Sequence, residues 1–176
     1  MAKKREAGGA GPEIFNGGIV TPRIGAVWGG QGGIFAGLIR GAGDQPDYCL
    51  VIPPASAAKF SGIWGTGARV TGAESEYDGL ANTQAMAAAG SDIATRAMAI
   101  EHEGHKDFYI PARREARILQ ANCGDLYPKE WHWTSTQDAG YSDYAWVQYF
   151  GHGNQSHDRK SNSWPVLLVR RLPVIR

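Results

Sequence analysis

Short apolar runs cut by glycine fill the first third of the chain. Gly18-Ile19-Val20, Ile24 to Trp28, Gly33 to Ile39 and Tyr48 to Ile52 are rich in β-branched and aromatic residues, and turn formers separate them. Runs of ~4–8 such residues predict strands, so residues 14–75 read as a β-rich, antiparallel part. Gly29-Gly30-Gln31-Gly32-Gly33 predicts a tight connection and Ala42 to Asp47 a second turn. From Asp78 to His102 the pattern changes to Ala, Met, Leu and Ile, which favours helix; Gly90 and Ser91-Asp92 mark a break and a fresh N-cap, so two short helices are expected. A further helix is predicted from Pro111, suited to a first turn, to about Cys123, with Gly124 as its stop. Ala112, Glu115, Ala116, Leu119 and Cys123 share one stripe of it, which puts a carboxylate on the buried face and requires hydrogen-bonding partners for it there.

The last third returns to strand. Trp131 to Thr136 and Tyr144 to Phe150 alternate with period two, and Val166 to Val169 reads as a buried strand ended by Arg170-Arg171. On this pattern Trp146 and Phe150 share a face and belong to the core. Between these strands the 14 residues from Gly151 to Trp164 are almost wholly polar. That exceeds the ~4–6 residues usual for a connection, and a long loop pinned between two strong strands points to function.

A chain of 176 residues suits one domain over residues 14–176, preceded by a flexible arm over residues 1–13 that mixes basic and small residues without any period. Eighteen basic against 17 acidic side chains leave a net charge of +1, a field too weak to argue for nucleic acid or an acidic membrane. No apolar run approaches the ~20 residues of a membrane span, and the first residues lack a secretion pattern. Cys49 and Cys123 are too few and too far apart for a disulfide framework or a metal site and read as buried, reduced thiols. The 24 Gly, 6 Trp and 7 Tyr suit a loop-rich fold anchored on aromatics.

Enzyme motifs are missing from the sequence. His102-Glu103-Gly104-His105 has the wrong spacing for a helical zinc site, and no nucleophile elbow, phosphate loop or dinucleotide fingerprint is present. Glu101, Glu103 and Asp107 read as a solvated helix end and loop. The expectation is therefore a protein without enzymatic activity, cofactor or metal. What remains is surface: from Asp138 to Trp164 the residues are the Tyr, Ser, Asp, His, Asn and Gly of adaptable binding surfaces, with Trp interleaved. Tyr141, Asp143, Tyr144, Tyr149, His152, Asn154, His157, Asp158, Arg159 and Asn162 are the candidate ligand-binding residues.

The segment from Gly104 to Arg171 resembles the DUF1566 group of C-type-lectin-like domains of phage and bacterial proteins. The resemblance rests on Asp107-Phe108-Tyr109-Ile110-Pro111-Ala112-Arg113-Arg114-Glu115, on Trp131-x-Trp-Thr-Ser-Thr136, and on Ala145-Trp146, Gln148, Phe150, Gly153, Lys160 and Val169-Arg170-Arg171, all in order. Gly32 to Gly37 is similar, more loosely, to the glycine-rich opening of phage members. The resemblance implies an α+β C-type-lectin-like fold with a twisted mixed or antiparallel sheet, two main helices and long irregular loops. In this reading residues 76–176 form the DUF1566-like part.

Some members of that group are variable proteins of diversity-generating retroelements, which rewrite exposed contact codons near the C-terminus. The resemblance thus implies a binding face around residues 138–164. Trp146, Gln148, Gln155, Lys160 and Trp164 cannot be products of adenine randomisation in an Asn codon, whereas the intervening Tyr, His, Asp, Ser and Asn can. The expected role is a phage tail-fibre or tail-tip protein, carried on the virion and made in the bacterial cytoplasm, that binds a host surface protein or glycan. Residues 1–40 would attach it to other virion proteins or sister copies, trimer first. The alternative is a decoration or baseplate protein whose lectin-like domain serves only assembly. Two departures stand out: Pro165-Val166-Leu167-Leu168 replaces the group's alternating Arg and Ala, and Gln45-Pro46-Asp47 lies too far from the C-terminal stretch to mark a calcium-dependent sugar site.

Overall fold

The computed structural model describes residues 14–16 and 19–174; the arm expected over residues 1–13 lies outside them. In chain order the elements are strands β1 (Ile14–Asn16), β2 (Ile19–Thr21), β3 (Val27–Trp28), β4 (Gly33–Ile39) and β5 (Tyr48–Ile52), helix α1 (Ala55–Ala58), and strand β6 (Ser61–Ile63). Helices α2 (Gly79–Ala88), α3 (Asp92–Met98) and α4 (Arg113–Cys123) follow, then strands β7 (Trp131–Gln137), β8 (Tyr144–Tyr149), β9 (Gln155–Arg159), β10 (Ser163–Pro165) and β11 (Arg170–Pro173). The class is α+β, with four α-helices and curled antiparallel sheets among the described residues. In place of one twisted sheet the strands pair as β1-β2, β6-β10, β11-β5-β4-β3 and β7-β8-β9.

The larger sheet is a meander closed by the C-terminal strand. β5 lies between β4 and β11 and is buried throughout, which is why Tyr48 to Ile52 is an unbroken apolar run. β4 bulges between Phe35 and Gly37. There Asn122 of α4 donates Nδ2–H to the Ala36 carbonyl at 2.8 Å, and a Cβ on Gly37, whose φ is 126°, would collide with that amide. Arg170 ties this sheet to a loop through two bonds to Asp107, at 2.8 and 3.1 Å, and a third to the Gln31 carbonyl.

Two apolar clusters meet along one extended segment. Val166 and Leu168 join Trp64, Met86, Ile93, Trp133 and Val147, while Leu167 and Val169 join Tyr48, Leu50, Tyr109, Leu119 and Phe150. Alternate side chains thus enter opposite cores, and this explains the four-residue apolar run. The segment is not the expected strand, because its backbone makes isolated contacts and no continuous ladder: Val166 N–H donates to the Phe60 carbonyl, Val166 forms a lone parallel bridge with Trp133, and Val169 exchanges bonds with Tyr109. Arg170-Arg171 accordingly opens β11 and does not end a strand.

The middle helices break where expected, at Gly90, but the Ser91 hydroxyl donates to the Trp64 carbonyl at 2.6 Å and does not cap α3. α4 begins after Ala112, beyond Pro111, and Gly124 keeps right-handed helical angles and runs on into a 3-10 turn, Gly124–Leu126, so it does not act as a left-handed stop. β7 is buried on both faces past Trp131, contrary to its expected alternation. Its ladder with β8 is interrupted between Trp133 and Gln137, and there the Thr134 hydroxyl donates to the Trp146 carbonyl while other polar side chains serve more distant segments. The Thr136 hydroxyl donates to the Ser75 carbonyl and accepts from Arg113 N–H, and Gln137 bonds both ways with the Val70 backbone.

Candidate functional site

The largest departure from the sequence reading is at residues 151–164, which do not form one long loop. Gln155 to Arg159 is strand β9, paired antiparallel with β8 in the register Gln148↔Gln155, Trp146↔His157 and Tyr144↔Arg159. Because alternate residues of β8 face opposite ways, Ala145 and Val147 enter the core and Tyr144 and Trp146 lie on the outer face. Trp146 is therefore not the core residue expected. Phe150 is buried, since the chain turns inward once β8 has ended.

The outer face carries a run of rings packed tilted or edge-on against one another. His157 lies 5.0 Å from Tyr144, 5.7 Å from Trp146 and 5.8 Å from Tyr141, ring centre to ring centre, and Tyr141 lies 5.7 Å from Tyr144. At one end the Arg113 guanidinium sits 3.4 Å above the Trp146 ring; at the other Arg159 lies over Tyr144 and pairs with Asp143 at 3.4 Å. Tyr141 is the most exposed of the rings, at 61%.

Asp138 organises the group. One carboxylate oxygen accepts from the Gly140 and Tyr141 amides at 2.8 and 2.9 Å, fixing the turn that presents Tyr141. The other accepts from His157 Nδ1 at 2.8 Å. Burial opposes the charge on Asp138, but the bonds from His157 and from the Tyr141 and Gly140 amides outweigh it and hold the carboxyl below its ordinary value. An ionised carboxylate can only accept, so Nδ1 of His157 carries a proton and Nε2 is left for another partner. The bond to Asp138 fixes the orientation of the His157 imidazole.

The other sequence-predicted residues lie elsewhere. Asp158, on the opposite side of β9, accepts from Trp164 Nε1 at 2.7 Å and from the Asn162 amide at 3.0 Å, so both Asp158 and Asn162 close the turn into β10. Burial works against the Asp158 charge, yet those bonds and the Arg159 amide hold its carboxyl low. Tyr149 and His152 stack 4.3 Å apart beside Trp131, in a second aromatic group at the far end of the hairpin. Asn154 has an exposed side chain, and its carbonyl accepts from Tyr149 N–H. The ten candidates thus divide into Tyr141, Asp143, Tyr144, His157 and Arg159 in one cluster, Tyr149, His152 and Asn154 in another, and Asp158 and Asn162 in a turn.

Sequence reasoning missed Trp146, Arg113 and Gln155 as members of the face. Gln155 Oε1 accepts from Arg113 Nε at 3.1 Å and from Arg117 at 2.8 Å, and its amide donates to the Arg113 carbonyl, so the first turns of α4 are tied to β9. Strand parity with Tyr144 was the available signal for Trp146. Nothing in the sequence brings Arg113 across 33 residues to Trp146. Among the described residues no group of three or more His, Cys, Asp or Glu side chains is arranged to hold a metal, and His102 and His105 close a tight turn on each other. Cys49 and Cys123 are free and buried, and burial is the chief reason both thiols are raised, Cys123 to about 11.

The buried Glu115 has its partners. It is 1% exposed; one oxygen accepts from the Tyr48 and Tyr109 hydroxyls at 2.9 and 2.8 Å, and the other from the Ala112 amide at 2.7 Å. Burial nevertheless pushes the carboxyl up to about 7. The helices approach closely here: a Cβ on Gly79, the first residue of α2, would collide with Glu115 and with the backbone of Ile110 and Ala112.

Comparison with protein-family models and with curated proteins returns no match to this chain.

Proposed function

We propose that this protein is a non-enzymatic ligand-binding protein of a phage particle, a tail-fibre or tail-tip protein that recognises the host cell surface on a C-type-lectin-like scaffold of the DUF1566 kind. The observation that carries the reading is the cluster of Tyr141, Tyr144, Trp146, His157 and Arg159 on the outer face of β8 and β9, braced from below by Asp138 and from the side by Arg113. Rings held by each other and by a buried carboxylate lose little freedom on binding, which is the property of an affinity anchor. Copies of the chain, trimer first, would present several faces together, and linked sites raise avidity by ~10²–10⁴.

The test is adsorption. Replacing Tyr141 and Tyr144 together by Ala in the full chain is expected to weaken binding to host cells by roughly tenfold or more, the loss of a hot-spot pair, while the protein stays folded. Unchanged adsorption overturns the reading.

A second reading, a decoration or baseplate protein with an assembly role only, is favoured by exposed apolar side chains in the N-terminal part: Val20, Ile24, Val27 at 72% and Leu38. It requires the aromatic face to be covered by neighbouring subunits in the assembled particle, which a cryo-EM map would reveal directly.

A further inference from the structure

Beside the aromatic face lies a cleft of about 760 Å³, between the β4–β5 turn, the loop preceding α2, and α4. Its walls carry five guanidinium groups, from Arg40, Arg113, Arg114, Arg117 and Arg171, and three carboxylates, from Glu76, Asp78 and Glu115. For a chain of net charge +1 this is a marked local excess of positive charge. Much of it is uncompensated. Glu76 is shared by Arg113 at 2.7 Å and Arg114 at 3.7 Å, and Asp78 holds Arg171 at 3.1 Å. Among the described residues Arg40 and Arg117 pair with no carboxylate; both are exposed, and Arg117 bonds only to Gln155. Glu115 at the floor is fully buried, and its two oxygens are already engaged by three hydrogen bonds from Tyr48, Tyr109 and the Ala112 amide.

The rest of the lining is apolar or aromatic: Ile39, Tyr48, Tyr77 and Ile118. A cleft of this size lies within the ~300–1,000 Å³ typical of sites for small ligands and is not a broad platform for a macromolecule. Guanidinium forks match planar or tetrahedral oxyanions, and aromatic walls match the apolar face of a ring-shaped body. Arg113 and Gln155 belong to both the cleft and the aromatic face, so a ligand lying across the face has a charged end point within reach.

We infer that this arginine cleft binds an anionic sugar unit, carrying a carboxylate or a phosphate, of the surface glycan that the aromatic face recognises. The inference rests on the recognition reading for the source of the ligand, and the two are separable by experiment. The full chain is titrated by NMR with glucuronate, glucose 6-phosphate, methyl glucoside, inorganic phosphate and a short oligoglutamate, at low and high salt. Glucuronate or glucose 6-phosphate is expected to bind saturably, with the stronger of the two identifying the charged group. Methyl glucoside is expected not to bind, and raising the salt is expected to weaken the charged sugars. The double variant Arg40→Gln, Arg117→Gln, which breaks no ion pair, is expected to bind them roughly tenfold more weakly, the sum of two exposed charge contacts. Arg40→Glu alone serves as a second variant with the opposite charge at the rim.

Absence of saturable binding by both charged sugars, or equal affinity in wild type and both variants, overturns the inference. Inorganic phosphate or oligoglutamate binding as tightly as the sugars overturns the assignment to a glycan. If adsorption to cells depends on Tyr141 and Tyr144 while neither charged sugar binds, the cleft fails and the face stands. If the sugars bind in the cleft while the tyrosine variant adsorbs normally, the face fails and the cleft stands.

Discussion

Replacing Glu115 with Gln should remove a specific pH dependence from the stability of this protein. In the folded chain burial raises the carboxyl from an ordinary value of 4.5 to about 7, so between these values the folded state holds a proton that the unfolded state has released. Stability contributed by this group is complete below about pH 4.5 and declines as pH rises through 7. With 1.36 kcal/mol per pKa unit the loss is about 3 kcal/mol, undiminished by solvent screening because the group is fully buried. Gln can place its carbonyl toward the Ala112 amide and its NH₂ toward the two tyrosine oxygens, whose hydroxyls rotate to accept, so the substitution preserves shape and removes the charge. His132 acts oppositely in part of this window: burial lowers its pKa, so stability from it declines as pH falls below 6.5. The informative quantity is therefore the difference between the two proteins. Urea denaturation followed by tryptophan fluorescence at intervals from pH 4.5 to 8 should show the variant gaining about 3 kcal/mol relative to wild type across the range. Parallel curves, within about 0.5 kcal/mol, would refute the reasoning.

Three further outcomes follow from the packing. Gly79→Ala should destabilise by about 3 kcal/mol or more in the same assay, because the new methyl meets the Glu115 carboxylate and two backbone segments that cannot yield. Lys160→Met should cost about 2 kcal/mol at pH 7: Lys160 Nζ donates to the Ala68 carbonyl and to Gln137 Oε1, both at 2.9 Å, and each loses a donor. Burial lowers the Lys160 ammonium to about 8, so wild-type stability should rise between pH 8 and 10.5, where the unfolded chain holds the extra proton, and the variant should lack that rise. Asp138→Asn should cost about 1–2 kcal/mol at neutral pH by weakening the bond to His157. Since the Asp138 carboxyl is held low, its contribution is present above about pH 4 and is lost on further acidification, so the variant's denaturation should show a smaller acid-side decline.

Local pattern was sufficient for what depends on near neighbours. The strands of the glycine-cut first third, the helix break at Gly90, the buried stripe of α4 and the need of Glu115 for partners were all legible, because propensity, turn chemistry and helical period act within a few residues. The polar stretch after Gly151 was misread for the complementary reason. β9 has no apolar alternation of its own, and it is a strand only because β8 offers its edge and Asp138, Arg113 and Trp146 give its polar side chains partners. The identities of Tyr48, Tyr109 and Glu115 are written in the sequence, as are those of Arg113, Trp146 and His157. Their meeting depends on long-range chain crossings: β11 returning beside β5, β7 interrupting its ladder to cap α4, and two cores sharing Val166 to Val169. Such contacts are chosen by the joint burial of surfaces far apart in the chain, and that choice exists only once the tertiary structure has formed.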